Sequence, residues 1–106
     1  MRPALLSDIE IHRELNAMDR WSRKGEALTK TFDFPTFTDA MAWVNRVAAA
    51  AEAANHHPDL DIRFSRVIAS LSTHDSGGIT SHDFALAHKM DELAGPREPE
   101  GPDRGA

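Results

Sequence analysis

Histidine can give or take a proton near neutral pH at little cost, and this chain of 106 residues carries six. Three of them fall in two short stretches, Glu52-Ala53-Ala54-Asn55-His56-His57-Pro58 and Leu71-Ser72-Thr73-His74-Asp75. Two imidazoles held side by side favour a mixed state, one neutral and one charged, because like charges repel. Such a pair offers a base beside an acid. Glu52 stands one helical turn before His56, close enough to orient the ring of His56 or His57. Asp83, at the start of a later helix, is a second candidate orienter. His56, His57 and His74 thus read as one acid–base site.

The same residues admit other readings. A surface His-His pair can be inert, and zinc could be held by His56, His57, His74 and a carboxylate. Metal is the weaker alternative, since adjacent residues rarely aim both rings at one ion and the spacing matches no known ligand set. His12, His82 and His88 read as exposed helix residues. Trp21 and Trp43 read as core, with Trp21 near enough to a loop to line a pocket. No glycine-rich loop follows a strand in a phosphate-cradling pattern. Gly77-Gly78 reads as a turn.

The elements that must position these side chains are legible from caps, turns and periodicity. Ser7-Asp8-Ile9-Glu10 is a capping box that opens a short helix from Asp8 to Asn16. Lys24-Gly25 joins two extended runs as a hairpin turn. In the second run Leu28, Phe32 and Phe34 share one face, and Lys30 interrupts the apolar parity. After Pro35, Thr36 or Thr38 caps the main helix, which runs to about Asn55. Its predicted apolar stripe is Phe37, Met41, Val44, Ala48 and Ala51, widened by Ala40, Trp43 and Val47. Asn55 can take the left-handed conformation that ends helices. Pro58 keeps His57 out of the helical region, so both histidines lie on a rigid exit loop. Ile62 and Phe64, then Val67, Ala69 and Leu71, give two strands with a turn near Ser65-Arg66. His74 falls at the end of the second strand, on the parity opposite the core. Thr80 caps a last helix that ends near Ala94-Gly95-Pro96, with Phe84, Ala87 and Met90 at helical spacing.

Residues 1–94 read as one domain and 95–106, rich in Pro and Gly without apolar residues, as a disordered tail. A formal net charge of −5 argues against direct nucleic-acid binding. With no cysteine, disulfides, thiolate zinc sites and Cys nucleophiles are excluded, and the chain suits a reducing cytoplasm. The N-terminus is no secretory signal, and no apolar run approaches the ~20 residues of a membrane span.

Taken in order, Glu52, His56-His57-Pro58, Leu71-Ser72-Thr73-His74, Gly78-Ile79-Thr80 and Asp83 closely resemble the pterin-4a-carbinolamine dehydratases. Trp21 and Phe32-Asp33-Phe34 also fit, and the likeness spans Ser7 to Leu93. The resemblance implies an α+β fold, a four-stranded antiparallel sheet with three helices packed on one face. It implies dehydration of 4a-hydroxytetrahydropterin to quinonoid dihydropterin, which recycles the cofactor of aromatic amino-acid hydroxylases. Neither metal nor organic cofactor is implied. The family's three histidines fall on His56, His57 and His74. Its substrate-contacting segments fall on His56-His57-Pro58 and Thr73-His74-Asp75-Ser76, its helix glutamate on Glu52 and its helix-start aspartate on Asp83. Asn55 stands where some members carry Asp, and Leu60 and Phe64 where some relatives carry Trp and Tyr. Some members also act as dimerisation partners of a homeodomain transcription factor, so a non-catalytic protein-binding module is the alternative. A small sheet with an open edge strand further suggests a homo-oligomer, dimer or tetramer.

Overall fold

The structure is a computed structural model, and it describes residues 2–95. The chain runs α1 (Asp8–Asn16), β1 (Ser22–Lys24), β2 (Ala27–Asp33), α2 (Phe37–Ala54), β3 (Asp59–Arg63), β4 (Arg66–Leu71), a 3-10 turn (His74–Ser76) and α3 (Ser81–Ala94). The predicted tail over 95–106 lies, apart from Gly95, outside the described residues. Both hairpins pair antiparallel, and the sheet order is β1-β2-β4-β3, which puts β2 and β4 at the centre. This is the α+β fold expected.

Local chemistry sets most boundaries. Ser7 and Glu10 form the expected capping box of α1. The Thr36 side chain accepts the Asp39 amide and so fixes the start of α2. Asn55 ends α2 in the left-handed region, at φ 51°. The β3–β4 turn lies at Phe64-Ser65, one residue earlier than expected, and Phe64 takes a left-handed φ of 55°. A phenylalanine in that conformation is uncommon, which is why turn chemistry alone did not locate it.

One sheet face is buried and the other open. Leu28 opposite Leu71 and Phe32 opposite Val67 lie on the buried face with Ala69. Lys30, opposite Ala69, shares this face without breaking it. Its stem runs past Phe32, with Nζ 4.9 Å from the ring centroid, and its ammonium pairs with Asp91 of α3 at 2.8 Å. Asp91 also accepts the Trp21 indole N–H at 3.1 Å. Trp21 is therefore a buried core residue whose polar edge is satisfied, not a pocket wall.

The main helix corrects one expectation. Its core-facing residues are Ala40, Trp43, Val47 and Ala51. Of the residues read as the main stripe, Ala51 is buried, while Phe37, Met41, Val44 and Ala48 are exposed or half-buried, with Phe37 47% exposed. Trp43 decides the rotation. Its ring lies 4.3 Å from Phe32 and 5.3 Å from Phe34, and its N–H donates to the Met90 carbonyl. No smaller side chain on α2 could fill that volume between sheet and α3.

Candidate active site

The α2 exit loop, the turn after β4 and the start of α3 meet through one carboxylate. Asp83 is the third residue of α3 and has no exposed surface. Its Oδ2 accepts the Thr80 backbone N–H at 2.9 Å and the Thr73 hydroxyl at 2.8 Å. Its Oδ1 lies 2.6 Å from His56 Nε2. An ionised carboxylate is a pure acceptor and satisfies all three neighbours at once. With Asp83 ionised, Nε2 of His56 carries a proton and donates a hydrogen bond to Asp83 Oδ1. That leaves Nδ1 outside the contact, a lone pair when the ring is neutral and an N–H when it is charged.

The hydroxyl order follows from the same inventory. Thr73 donates to Asp83, so the Thr80 hydroxyl, 2.7 Å from Thr73 Oγ1, must donate to Thr73. Thr80 Oγ1 in turn accepts the His82 backbone N–H at 3.2 Å. The helix cap and the orientation of His56 are thus one hydrogen-bonded chain. Among the described residues no buried side-chain polar atom lacks a partner.

His57 has a separate arrangement. Its Nε2 lies 2.5 Å from Glu52 Oε2, and both side chains are mostly exposed. Glu52 thus orients His57, and Asp83 orients His56. The two adjacent rings are drawn to different carboxylates, which argues against both ligating one metal ion. Among the described residues no three His, Cys, Asp or Glu side chains are grouped to hold a metal.

His74 does not continue β4. It opens the 3-10 turn, so the strand parity assigned to it does not apply. Thr73 and Gly78 form an isolated bridge that closes this turn, and Gly77 takes the left-handed φ of 76° that reverses the chain. Thr73 is buried and bonded to Asp83, and His74 is the next residue in the chain. His74 and Asp75 are exposed, and Pro58 is half-buried.

Two members of the expected substrate-contacting set have their hydroxyls committed elsewhere. Thr73 serves Asp83, and the Ser76 hydroxyl donates to the Pro3 carbonyl. Leu6 donates its amide to the Ile79 carbonyl, so the N-terminal segment straps the turn that carries His74. His56, whose side chain is 11% exposed, is enclosed, whereas His57 and His74 are exposed.

Sequence reasoning missed His82. Read as an exposed helix residue, it is exposed, yet its ring meets that of His56 edge-on, with centroids 5.9 Å apart and planes at 76°. Its position next to Asp83 was the available signal. Thr80, read only as a cap, also supports the carboxylate.

A four-stranded antiparallel sheet with helices on one face, holding a buried aspartate–histidine pair at the start of its last helix, defines the class of protein. Residues 4–93 match the family model described as pterin 4 alpha carbinolamine dehydratase, and the chain belongs to that family. A relative from Roseiflexus castenholzii, named "Putative pterin-4-alpha-carbinolamine dehydratase", is 52% identical over 90 residues, 85% of this chain and 97% of the relative. A relative of the same name from Thermomicrobium roseum is 52% identical over 91 residues, 86% of this chain and 98% of its own. Among solved structures, a transcriptional coactivator/pterin dehydratase from Brucella melitensis superposes with a TM-score of 0.83 at 34% identity, covering 86% of this chain and 99% of its own. A pterin dehydratase-like protein described as a RuBisCO assembly factor in the alpha-carboxysome gives 0.64 at 26% identity, covering 74% and 94%.

Proposed function

We propose that this protein is a hydro-lyase that converts 4a-hydroxytetrahydropterin to quinonoid dihydropterin by histidine acid–base catalysis. The reaction removes hydroxide from C4a and a proton from N5, forms the C4a–N5 double bond and releases water. Hydroxide leaves poorly, so an acid must protonate it as the bond breaks, while a base takes the N5 proton. His56, through Nδ1, and His74 are the acid–base pair. His57, held by Glu52, positions the substrate together with Pro58 and Asp75, while Thr73 and Ser76 shape the turn beneath it. In this reading the product returns to the cofactor cycle of aromatic amino-acid hydroxylases, in the cytoplasm. Family membership supports pterin-carbinolamine dehydration in general.

The observation that carries the assignment is the 2.6 Å contact between His56 Nε2 and fully buried Asp83. It holds Nε2 of a ring whose other nitrogen stays available. The test follows the absorbance of synthetic 4a-hydroxytetrahydropterin with and without protein, and with His74→Ala. Each proton transfer contributes roughly 10²–10⁴-fold. His74→Ala is expected to lose a factor in that range while unfolding at the same denaturant concentration. Full turnover by that variant would overturn its role.

A second reading has its own observation. Phe37 and Ala48, with half-buried Met41 between them, leave part of one apolar side of α2 uncovered, while Val44 packs against the core. Their spacing suits the same side of a second α2, and a homo-oligomer formed there is part of this proposal. A non-catalytic protein-binding role for this family member would use the same surface. No helix among the described residues is long and apolar enough to cross a membrane.

A further inference from the structure

Resting on the reading of His56 as an acid–base group, we propose that His82 is a positioning residue that holds the plane of the His56 imidazole. Residues adjacent in a helix project about 100° apart. At the start of α3, Asp83 and His82 therefore approach one ring from two directions. Asp83 takes Nε2 at 2.6 Å, and His82 meets the ring edge-on, with centroids 5.9 Å apart and planes at 76°. Separation and angle lie within the favoured range for edge-to-face rings.

The two contacts restrict different motions. The bond to Asp83 decides which nitrogen is protonated and which way the ring is flipped. It leaves tilt about the line from Cβ to Nε2 weakly restrained. A ring packed against the flank of the imidazole opposes that tilt, so the direction of the Nδ1 lone pair is fixed. Both contacting residues spring from a helix start held by the Thr80–Asp83 capping box, so the clamp is rigid before substrate arrives.

Among the described residues the His82 side chain makes no hydrogen bond or ion pair, and its backbone N–H serves the cap. The side chain is exposed, so its removal leaves no buried cavity.

The test compares His82→Ala, His82→Phe and His56→Ala in the dehydratase assay, each also taken through denaturant unfolding. An edge-to-face pair corresponds to a factor of about 2–12 when its stabilisation acts wholly on the reactive geometry. His82→Ala is expected to lower kcat within that range with little change in KM and in unfolding midpoint. His82→Phe keeps the ring and removes both nitrogens, and is expected to recover most of the lost kcat. If Ala is fully active, or if Phe is as impaired as Ala, ring packing is not the device and the proposal falls. If instead His56→Ala retains full turnover, the acid–base reading of His56 itself fails, and the role of His82 falls with it. An inactive His56→Ala beside a fully active His82→Ala sinks the present inference alone.

Discussion

Asp83→Asn separates the chemistry of the site from its architecture. The substitution keeps shape and volume but replaces one acceptor with an NH₂ donor. Two of the three groups around Asp83, the Thr80 N–H and the Thr73 hydroxyl, share Oδ2. The amide oxygen is therefore expected to stay on that side, and the NH₂ to face His56 Nε2. That nitrogen must then accept, so neutral His56 carries its proton on Nδ1, the reverse of the parent tautomer. The base atom at Nδ1 is lost. Turnover should fall on the order of 10²-fold or more, within the range of one acid–base group. The bond to His56 reverses direction and all three bonds at this position become neutral, which costs about 2–3 kcal/mol of stability. The two readouts are the initial rate of 4a-hydroxytetrahydropterin decay and the urea midpoint at fixed pH. The variant should remain folded and bind substrate while turning it over slowly. An Asp83→Asn protein within about threefold of the parent kcat, under ~0.7 kcal/mol of barrier, would refute the tautomer argument.

Glu52→Gln should change stability by less than ~1 kcal/mol, because the pair it forms with His57 is exposed; its effect belongs in KM, measured by substrate titration. Ser7→Ala should cost about 1 kcal/mol of stability by removing the α1 cap, read from the urea midpoint. The Glu10 carboxyl is held below its ordinary 4.5, first by the Ser7 backbone N–H and then by the Ser7 hydroxyl. Its contribution to stability is therefore present above 4.5 and lost as pH falls through the lowered value, and Glu10→Gln should flatten that part of the acid unfolding profile. Phe37→Asp together with Met41→Asp should shift the protein to a smaller species in sedimentation without unfolding it; an unchanged sedimentation coefficient would remove α2 from the proposed interface.

Much of the architecture was legible because it depends on residues a few positions apart. Ser7 with Glu10 read as a capping box, Thr36 or Thr38 as the cap of α2 and Thr80 as the cap of α3, and Ser7, Thr36 and Thr80 are the caps. Asn55 and Pro58 delimited the loop of the two histidines. The face of α2 was not legible. With alanines around much of its circumference, the helix offers an apolar stripe in more than one direction, and the sequence does not rank them. The placement of His74 failed for a related reason, since alternation in β4 carries no information past the point where the chain stops pairing.

What the sequence determined by itself is therefore the set of local elements and the residue types that can exchange protons, because caps, turns and side-chain chemistry act over short separations. What the tertiary structure decided is the pairing across long separations. It gave His56 to Asp83, turned Thr73 inward as support for the carboxylate, and brought His82 onto the flank of His56. Those choices follow from packing α3 against α2 and the sheet, with Trp43 between them. They are set by volume and burial across the whole domain, which no local pattern contains.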